Sequence, residues 1–419
     1  MTVIRVTPYA PGIVRGRLCR RHEHISPDCI VMLSQQSLTA LDTTPSGIIV
    51  IDGAPLSHQM IHLLSLDIPV VIVSTRNAER FEEDEEIIID GWQGRLIQST
   101  GAAFDAAEAP AIPVAGKSLL LQDGSRVAMR ASIYGSEDAV RAVNRGAESI
   151  GLVRTEFIVP ADGSMPDAAF YQYELDRLCV AAGPLAIRLR LPDIAADKQV
   201  PWLEPLSGMT GPLGIQGIRL YQHESVRTVV DAMLEAVDSL ATHYELSLLL
   251  PYVSTHDEYL YWRDIIHHRL QQPLSVGIMA ETPATVMALS SWLDAADFVA
   301  VGCNDLMQCL FAADRDIAGL SRYLDPYSPE LLRFLQQAAQ SAGNKIDEVQ
   351  LCGLLSQFPG ILPVLLGMGF RAFSVAPAVI PYLAATIVQL DLKQTQQLVH
   401  RVCSASDSQQ VRALLGLAV

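Results

Sequence analysis

The sequence predicts an α/β protein in two parts, a small strand-rich unit followed by a (β/α)8, or TIM, barrel. Three observations carry this. Half of the 419 residues are hydrophobic but only 6% are aromatic, so the core must be mostly aliphatic, as where parallel strands are buried. After residue 122, eight short aliphatic runs alternate with helical patterns, which is the strand count of a barrel. Polar residues recur just past the ends of several of these runs. A doubly wound open sheet is the alternative, and it does not so naturally give eight strands.

In chain order, residues 47–51 (Gly-Ile-Ile-Val-Ile) read as a buried strand. After the loop Gly53-Ala54-Pro55-Leu56, Ser57 stands where an N-cap would stand, and His58 takes the first turn of a helix over 57–65. His62, one turn on, has no evident third metal ligand and reads as packing. The basic cluster Arg15, Arg17, Arg20 and Arg21 reads as a solvated strand edge. The acidic run at 82–86 reads as a solvated turn before a strand at 87–89, and Gly91-Trp92-Gln93-Gly94 as a tight turn. Residues 99–116 are rich in Ala, Pro and Gly and read as a linker. The expected division is therefore a first domain over 1–100, a linker over 101–122 and the barrel over 123–419.

A net charge of −16 argues against a nucleic-acid partner. Seven scattered cysteines with no C-x-x-C pair suggest reduced thiols. The start "MTVIRVTPYAPG" lacks the apolar segment of a signal peptide, and no apolar run reaches the roughly 18 residues that span a bilayer. The expectation is a soluble cytoplasmic protein.

The barrel runs are 127–133, 149–153, 186–189, 247–250, 276–280, 298–301, 349–351 and 372–375. Arg154, Arg190, Glu281, Asn304 with Asp305, and Cys352 each fall near the carboxyl end of one of them. In a barrel those ends meet at one mouth. Each residue alone reads better as a surface charge or a cap; five strand ends in agreement do not. Such a mouth suits a doubly anionic substrate with a divalent metal. Arg154 and Arg190 can grip phosphate or carboxylate through a planar fork, and Lys198, Arg219 and Arg315 are further candidates. Glu281 and Asp305 are hard oxygen ligands suited to Mg2+ or Mn2+. The alternatives are a helix-start carboxylate for Glu281, surface salt bridges for Lys198 and Arg315, and a small buried residue for Cys352.

At this point the residues carry a likeness. "GAESIGLVRTEF" (146–157), "GIMAETPA" (277–284), "VGCNDLMQ" (301–308) followed by "AADR", and "LCG" together resemble the phosphoenolpyruvate-utilising family. That family includes enzyme I of the bacterial sugar phosphotransferase system, pyruvate phosphate dikinase and phosphoenolpyruvate synthase. The resemblance covers nearly the whole chain in the same order, and enzyme I is the nearest of the three. Its opening has a counterpart in "PGIVRGR", and the segment around its phosphorylated histidine resembles "LSHQMIHLLSLDIPVVIV".

The resemblance implies a swivelling phosphohistidine domain followed by a phosphoenolpyruvate-binding TIM barrel. It makes His58 the phosphoryl carrier, with an unidentified protein or small molecule as acceptor. Arg154 and Arg190 would bind the substrate phosphate with Arg315 near it, and Asn304 would contact the phosphate. Glu281 and Asp305 would hold Mg2+, and Cys352 would protonate the enolate as pyruvate forms. A homodimer through the barrel is implied too. The residues agree about His58, because helix-start N–H groups favour a bound phosphoryl group and a neutral imidazole; the alternative is a histidine satisfied by local hydrogen bonds.

The chain also departs from the family. The helical domain that enzyme I carries within its histidine domain has no room between Val31 and Gly47. No Gly-rich nucleotide loop of the dikinase or synthase kind is visible. The family's Arg-Thr before Ser-His is Pro55-Leu56 here, and an arginine on that helix is Leu64. In the barrel an expected arginine is Gln216, the Asn before Pro212 is Gly211, two glycines are Ala195-Ala196, and the Glu after Cys-Gly is Leu354. Three functions follow as expectations: a phosphotransferase acting through His58, a non-catalytic phosphoenolpyruvate sensor, and a lyase of a related oxo-acid.

Overall fold

The computed structural model describes residues 2–20, 25–41, 43–98, 110–204 and 206–417. Arg21 and the stretch 99–109 of the expected linker lie outside these. The chain forms two compact units, Met1–Ala111 with Arg315–Arg322, and Ile112–Asp314 with Tyr323–Val419.

The first unit is built on an eight-stranded sheet. Its strands are β1 (Thr2–Arg5), β2 (Thr7–Ala10), β3 (Ile13–Cys19), β4 (Cys29–Ser34), β5 (Gly47–Ile51), β6 (Val70–Val73), β7 (Glu86–Asp90) and β8 (Arg95–Gln98), in the order β1-β8-β7-β3-β4-β5-β6-β2. Strands β3 to β6 run parallel. Residues Gly47–Val50 of β5 and all of β6 are buried, which is why these segments read as unbroken apolar runs. Ile30, Met32, Ile49, Val71, Phe81, Ile87 and Ile89 pack into one core. Between β4 and β5 the described residues hold one 3-10 helix, Gln35–Ala40.

Two readings of this unit are corrected. Arg15 and Arg17 of the basic cluster do not lie on a strand edge, because β3 pairs with β7 on one side and β4 on the other. Arg15 and Arg17 instead cover the exposed face of an interior strand, and Arg15 meets Glu86 at 2.7 Å. His62 does not pack into the core; its side chain is exposed, since the helix His58–Leu63 turns Met60, Ile61 and Leu63 inward.

The second unit is the barrel. Its strands are β9 (Leu119–Leu120), β10 (Arg126–Ile133), β11 (Ile150–Arg154), β12 (Ile187–Arg190), β13 (Leu246–Leu250), β14 (Val276–Ala280), β15 (Val299–Gly302), β16 (Gln350–Cys352) and β17 (Ala372–Val375). Neighbours from β10 to β17 are parallel, and β10 pairs with both β11 and β17, closing the cylinder. The short β9 only extends β10 as an antiparallel partner. Each of the eight aliphatic runs is one barrel strand. Helices such as Ala168–Ala182, Glu224–Leu240 and Pro329–Ala342 alternate with the strands and bury their apolar stripes. Leu152, Leu249, Met279, Ala300 and Cys352 cluster in a buried core drawn from five different strands. Among the described residues no helix is long and apolar enough to cross a membrane.

Candidate active site

Strand register brings the expected residues to one end of the barrel. Arg154 ends β11 and Arg190 ends β12, and the two are register partners. Glu281 directly follows β14. Asn304 and Asp305 open the helix Cys303–Phe311, which leaves β15 without an intervening loop. Cys352 ends β16, in register with Gly302 and Ser374. All are buried except Asp305, which is half-buried.

Arg190, 2% exposed, is the hub of a charge network. Its guanidinium hydrogen-bonds Glu156, donates to Asp193 at 2.9 Å and lies 3.9 Å from Glu281. Lys198 hydrogen-bonds the same Asp193. Burial works against the charge on Arg190, but Asp193, Glu156, Glu281 and Asp305 outweigh it and hold the group firmly protonated. Burial likewise opposes the Asp193 charge, yet Arg190 and Lys198 keep its carboxyl below the usual range. Glu281 goes the other way. Burial first, then the charges of Asp305 and Asp193, push it up to about 8 despite Arg190 and Lys198.

The backbone is shaped around these side chains. Glu281 Oε2 accepts the N–H of Tyr252, a residue with a φ of 54°. A Cβ on Gly302 would sit 2.6 Å from the Glu281 carboxyl, so only glycine lets Glu281 cross the mouth. Asn304 Oδ1 accepts the Leu354 N–H at 3.1 Å, beside Gly353 in the left-handed region. Arg154 lies 5.6 Å from the Tyr134 ring centroid, and its buried Nε has no hydrogen-bond partner among the described residues.

Several alternatives are removed by this geometry. Lys198 and Arg315 are not surface salt bridges, being 8% and 2% exposed. Glu281 does not serve the following helix, which is capped by Thr282 accepting from the Thr285 N–H. Arg219 is exposed; it donates to Ser254 at 2.9 Å and stacks over Tyr252. Gln216 spends its amide on the Pro212 carbonyl at 2.7 Å.

In the first unit the loop before His58 is tied down by a residue the sequence did not single out. Gln35 donates to Ser57 Oγ at 2.9 Å and accepts from the Ala54 N–H at 2.7 Å. Ser57 caps the helix, accepting from the Met60 N–H. The His58 backbone N–H donates to Asp316 Oδ1 at 2.9 Å, and ring Nδ1 lies 3.1 Å from Asp316 Oδ2. Arg315 Nη2 lies 2.6 Å from ring Nε2. A carboxylate can only accept and a guanidinium can only donate, so this pair selects the neutral Nδ1–H tautomer with its lone pair on Nε2. Burial alone would raise the Asp316 carboxyl; its bonds from His58 and the Arg315 charge bring it down instead. Glu156, Asp193, Tyr252 and Asp316 were also missed. The first two had a signal, since Glu156 lies inside "GLVRTEF" and Asp193 begins "DIAADK", each close to an arginine already chosen.

Comparison with known proteins gives the family. Residues 113–392 match the family described as PEP-utilising enzyme, PEP-binding domain, and 29–94 match PEP-utilising enzyme, mobile domain. The chain belongs to the PEP-utilising enzymes. It is 27% identical to Multiphosphoryl transfer protein 2 of Escherichia coli over 97% of this chain and 50% of that one. It is 29% identical to a phosphoenolpyruvate-protein phosphotransferase of Streptomyces coelicolor over 87% of this chain and 67% of the relative. A phosphoenolpyruvate-protein phosphotransferase of a Bacillus species is 26% identical over 98% and 73%. The chain thus spans half the length of the first relative and about 70% of the other two. As a PEP-utilising enzyme it has the α/β architecture of a mobile domain joined to a phosphoenolpyruvate-binding TIM barrel.

Proposed function

We propose that the protein is a phosphoenolpyruvate-dependent phosphotransferase that moves the phosphoryl group to His58 and then to an acceptor, releasing pyruvate. The observation that carries this is the convergence of Arg154, Arg190, Glu281, Asn304 and Cys352 at the carboxyl ends of β11, β12, β14, β15 and β16. Two guanidiniums would grip the phosphate and carboxylate, with Lys198 holding Asp193 in place and the Asn304 amide reaching the phosphate. His58 Nε2 would attack phosphorus: its lone pair forms the N–P bond as the P–O bond to the enolate breaks. The enolate then takes the Cys352 thiol proton at carbon, and the S–H electron pair stays on sulfur. Phosphoryl transfer asks mainly for positioning and charge neutralisation, which these groups supply. Arg315, resting on Nε2, would follow the incoming phosphoryl group, and the exposed Arg219 is a weaker contact.

Glu281 and Asp305 suit Mg2+ or Mn2+. Glu281 is a buried carboxyl raised by burial and by two neighbouring carboxylates, a repulsion that a cation relieves. Glu281 and Asp305 would hold the ion, whose charge would supply neutralisation of the negative charge developing on the substrate. We further propose the division 1–100, 101–122 and 123–419, a homodimer through the barrel and a cytoplasmic location.

A second reading, a phosphoenolpyruvate sensor without turnover, draws on Pro55 and Leu56. They give the carrier loop no side-chain donors, and Leu56 is turned into the core. Calorimetric titration of phosphoenolpyruvate with and without Mg2+ tests the site that both readings share. Binding only with Mg2+, lost in Arg154→Ala, is expected. Equal affinity without metal contradicts the metal role, and unchanged affinity in Arg154→Ala contradicts the site.

A further inference from the structure

Below the mouth, the barrel interior is not the apolar stack usual for this architecture. Arg130 on β10, Arg188 on β12 and Gln350 on β16 meet there. Gln350 is fully buried and every polar atom of its amide is engaged. Its Oε1 accepts from Arg130 Nη1 at 2.8 Å and from Arg188 Nη1 at 3.1 Å. Its Nε2 donates to the Gly151 carbonyl at 2.9 Å and to Cys352 Sγ at 3.0 Å. Gly151 makes the room, since a Cβ there would lie 2.8 Å from Gln350 Oε1.

The two guanidiniums fix which way this amide faces. Arginine only donates, so the oxygen must face Arg130 and Arg188, and the N–H2 must face the carbonyl and the sulfur. Cys352 Sγ is then obliged to accept, and its own hydrogen points away from Gln350. Meanwhile two half-buried cations share one neutral oxygen. Arg188 is pushed down to about 9, by burial and then by Arg130, and remains charged at neutral pH. Glu148 faces Arg130 electrostatically, and the further anion that would face both arginines is the one Cys352 becomes when it gives up its proton.

We infer that Gln350, backed by Arg130 and Arg188, is a positioning residue for Cys352: it aims the thiol proton away from itself and stabilises the thiolate left behind. This rests on the reading of Cys352 as proton donor to the enolate. The S–H bond breaks as the C–H bond of pyruvate forms, the amide N–H then bonds the thiolate, and solvent restores the proton. The other groups that face Cys352 electrostatically are Arg154 and Arg190 at the mouth and the Cys303 thiol. The arginines favour the thiolate too, but they would also be neutralised by a bound substrate. Gln350 and its two arginines would keep their effect with the mouth filled.

The test is the pH midpoint of Cys352 ionisation, read as ultraviolet thiolate absorbance of each protein minus that of the same protein carrying Cys352→Ser. Gln350→Leu removes the donor and should raise the midpoint by about one pH unit or more, the worth of one hydrogen bond to a charged group. Gln350→Glu keeps the shape and satisfies both arginines while placing a carboxylate beside sulfur; it should raise the midpoint at least as far, and it decides the matter if the leucine variant does not fold. A midpoint equal to wild type in the folded variants overturns the inference. If the midpoints shift as expected while Cys352→Ser keeps full turnover, the coupling stands and the donor reading fails instead.

Discussion

Arg190 lies 3.9 Å from Glu281 across the barrel mouth, yet it does not neutralise Glu281, because Glu156 and Asp193 already hold its guanidinium more closely. The same arginine has a structural duty and, under the proposed function, a ligand duty. Arg190→Ala should leave buried carboxylates unpaired and cost about 3–5 kcal/mol of stability, read by chemical denaturation. Arg154, whose buried Nε has no hydrogen-bond partner among the described residues, should differ. Arg154→Ala should leave the unfolding midpoint nearly unchanged and weaken phosphoenolpyruvate by about 2–5 kcal/mol.

Glu281 makes the apoprotein sensitive to pH in an unusual direction. Its carboxyl is raised to about 8 in the fold, against an ordinary value near 4.5. Between those values the folded state binds a proton that the unfolded state has lost, so this group's contribution is full at acid pH and falls as pH rises through about 8, by at most about 1.4 kcal/mol per unit. Denaturation across that range should show wild type losing stability toward alkali while Glu281→Gln, which mimics the protonated carboxyl, does not, so the variant gains on wild type as pH rises. Saturating Mg2+ should reverse the trend, because the metal needs the carboxylate. Mg2+ affinity should accordingly drop below about pH 8 in wild type.

Gly302 backs directly onto Glu281. A methyl group there meets the Glu281 carboxyl at 2.6 Å, so Gly302→Ala must displace it. An overpacking cost of about 1–3 kcal/mol is expected, together with a fall in metal-dependent phosphoenolpyruvate affinity of at least about tenfold by calorimetry. Wild-type affinity in that variant would remove Glu281 from the metal site.

How much of this was legible follows from what kind of signal each residue gives. The barrel strands stood out because strands buried on both faces leave unbroken aliphatic runs such as "SLLL" and "GIMA". Arg154, Arg190 and Glu281 stood out by position, at the ends of those runs. Asp316 did not, since its partner His58 lies 258 residues earlier and no local pattern links them. Gln350 was invisible for a similar reason: its bonds reach β10, β11 and β12, which only closure of the barrel brings together. The strand-edge reading of Arg15 and Arg17 failed because alternating charges mark one solvated face, whether or not the strand has a neighbour on each side.

Asp316 should matter through tautomer and ring orientation. Asp316→Asn, which can offer an N–H as well as an oxygen to Nδ1, no longer enforces the lone pair on Nε2. Phosphorylation of His58 should slow by at least about tenfold while phosphoenolpyruvate binding is retained, as measured by rapid quench and calorimetry on the same preparation.

The central claim is that His58 carries the phosphoryl group. Incubation of the whole protein with labelled phosphoenolpyruvate and Mg2+, at a concentration shown by calorimetry to fill the barrel, tests it directly. The account predicts acid-labile label on His58, none in His58→Ala despite unchanged ligand binding, and wild-type labelling in His62→Ala. Wild-type protein that stays unlabelled with its barrel saturated would contradict it and leave the sensor reading in its place.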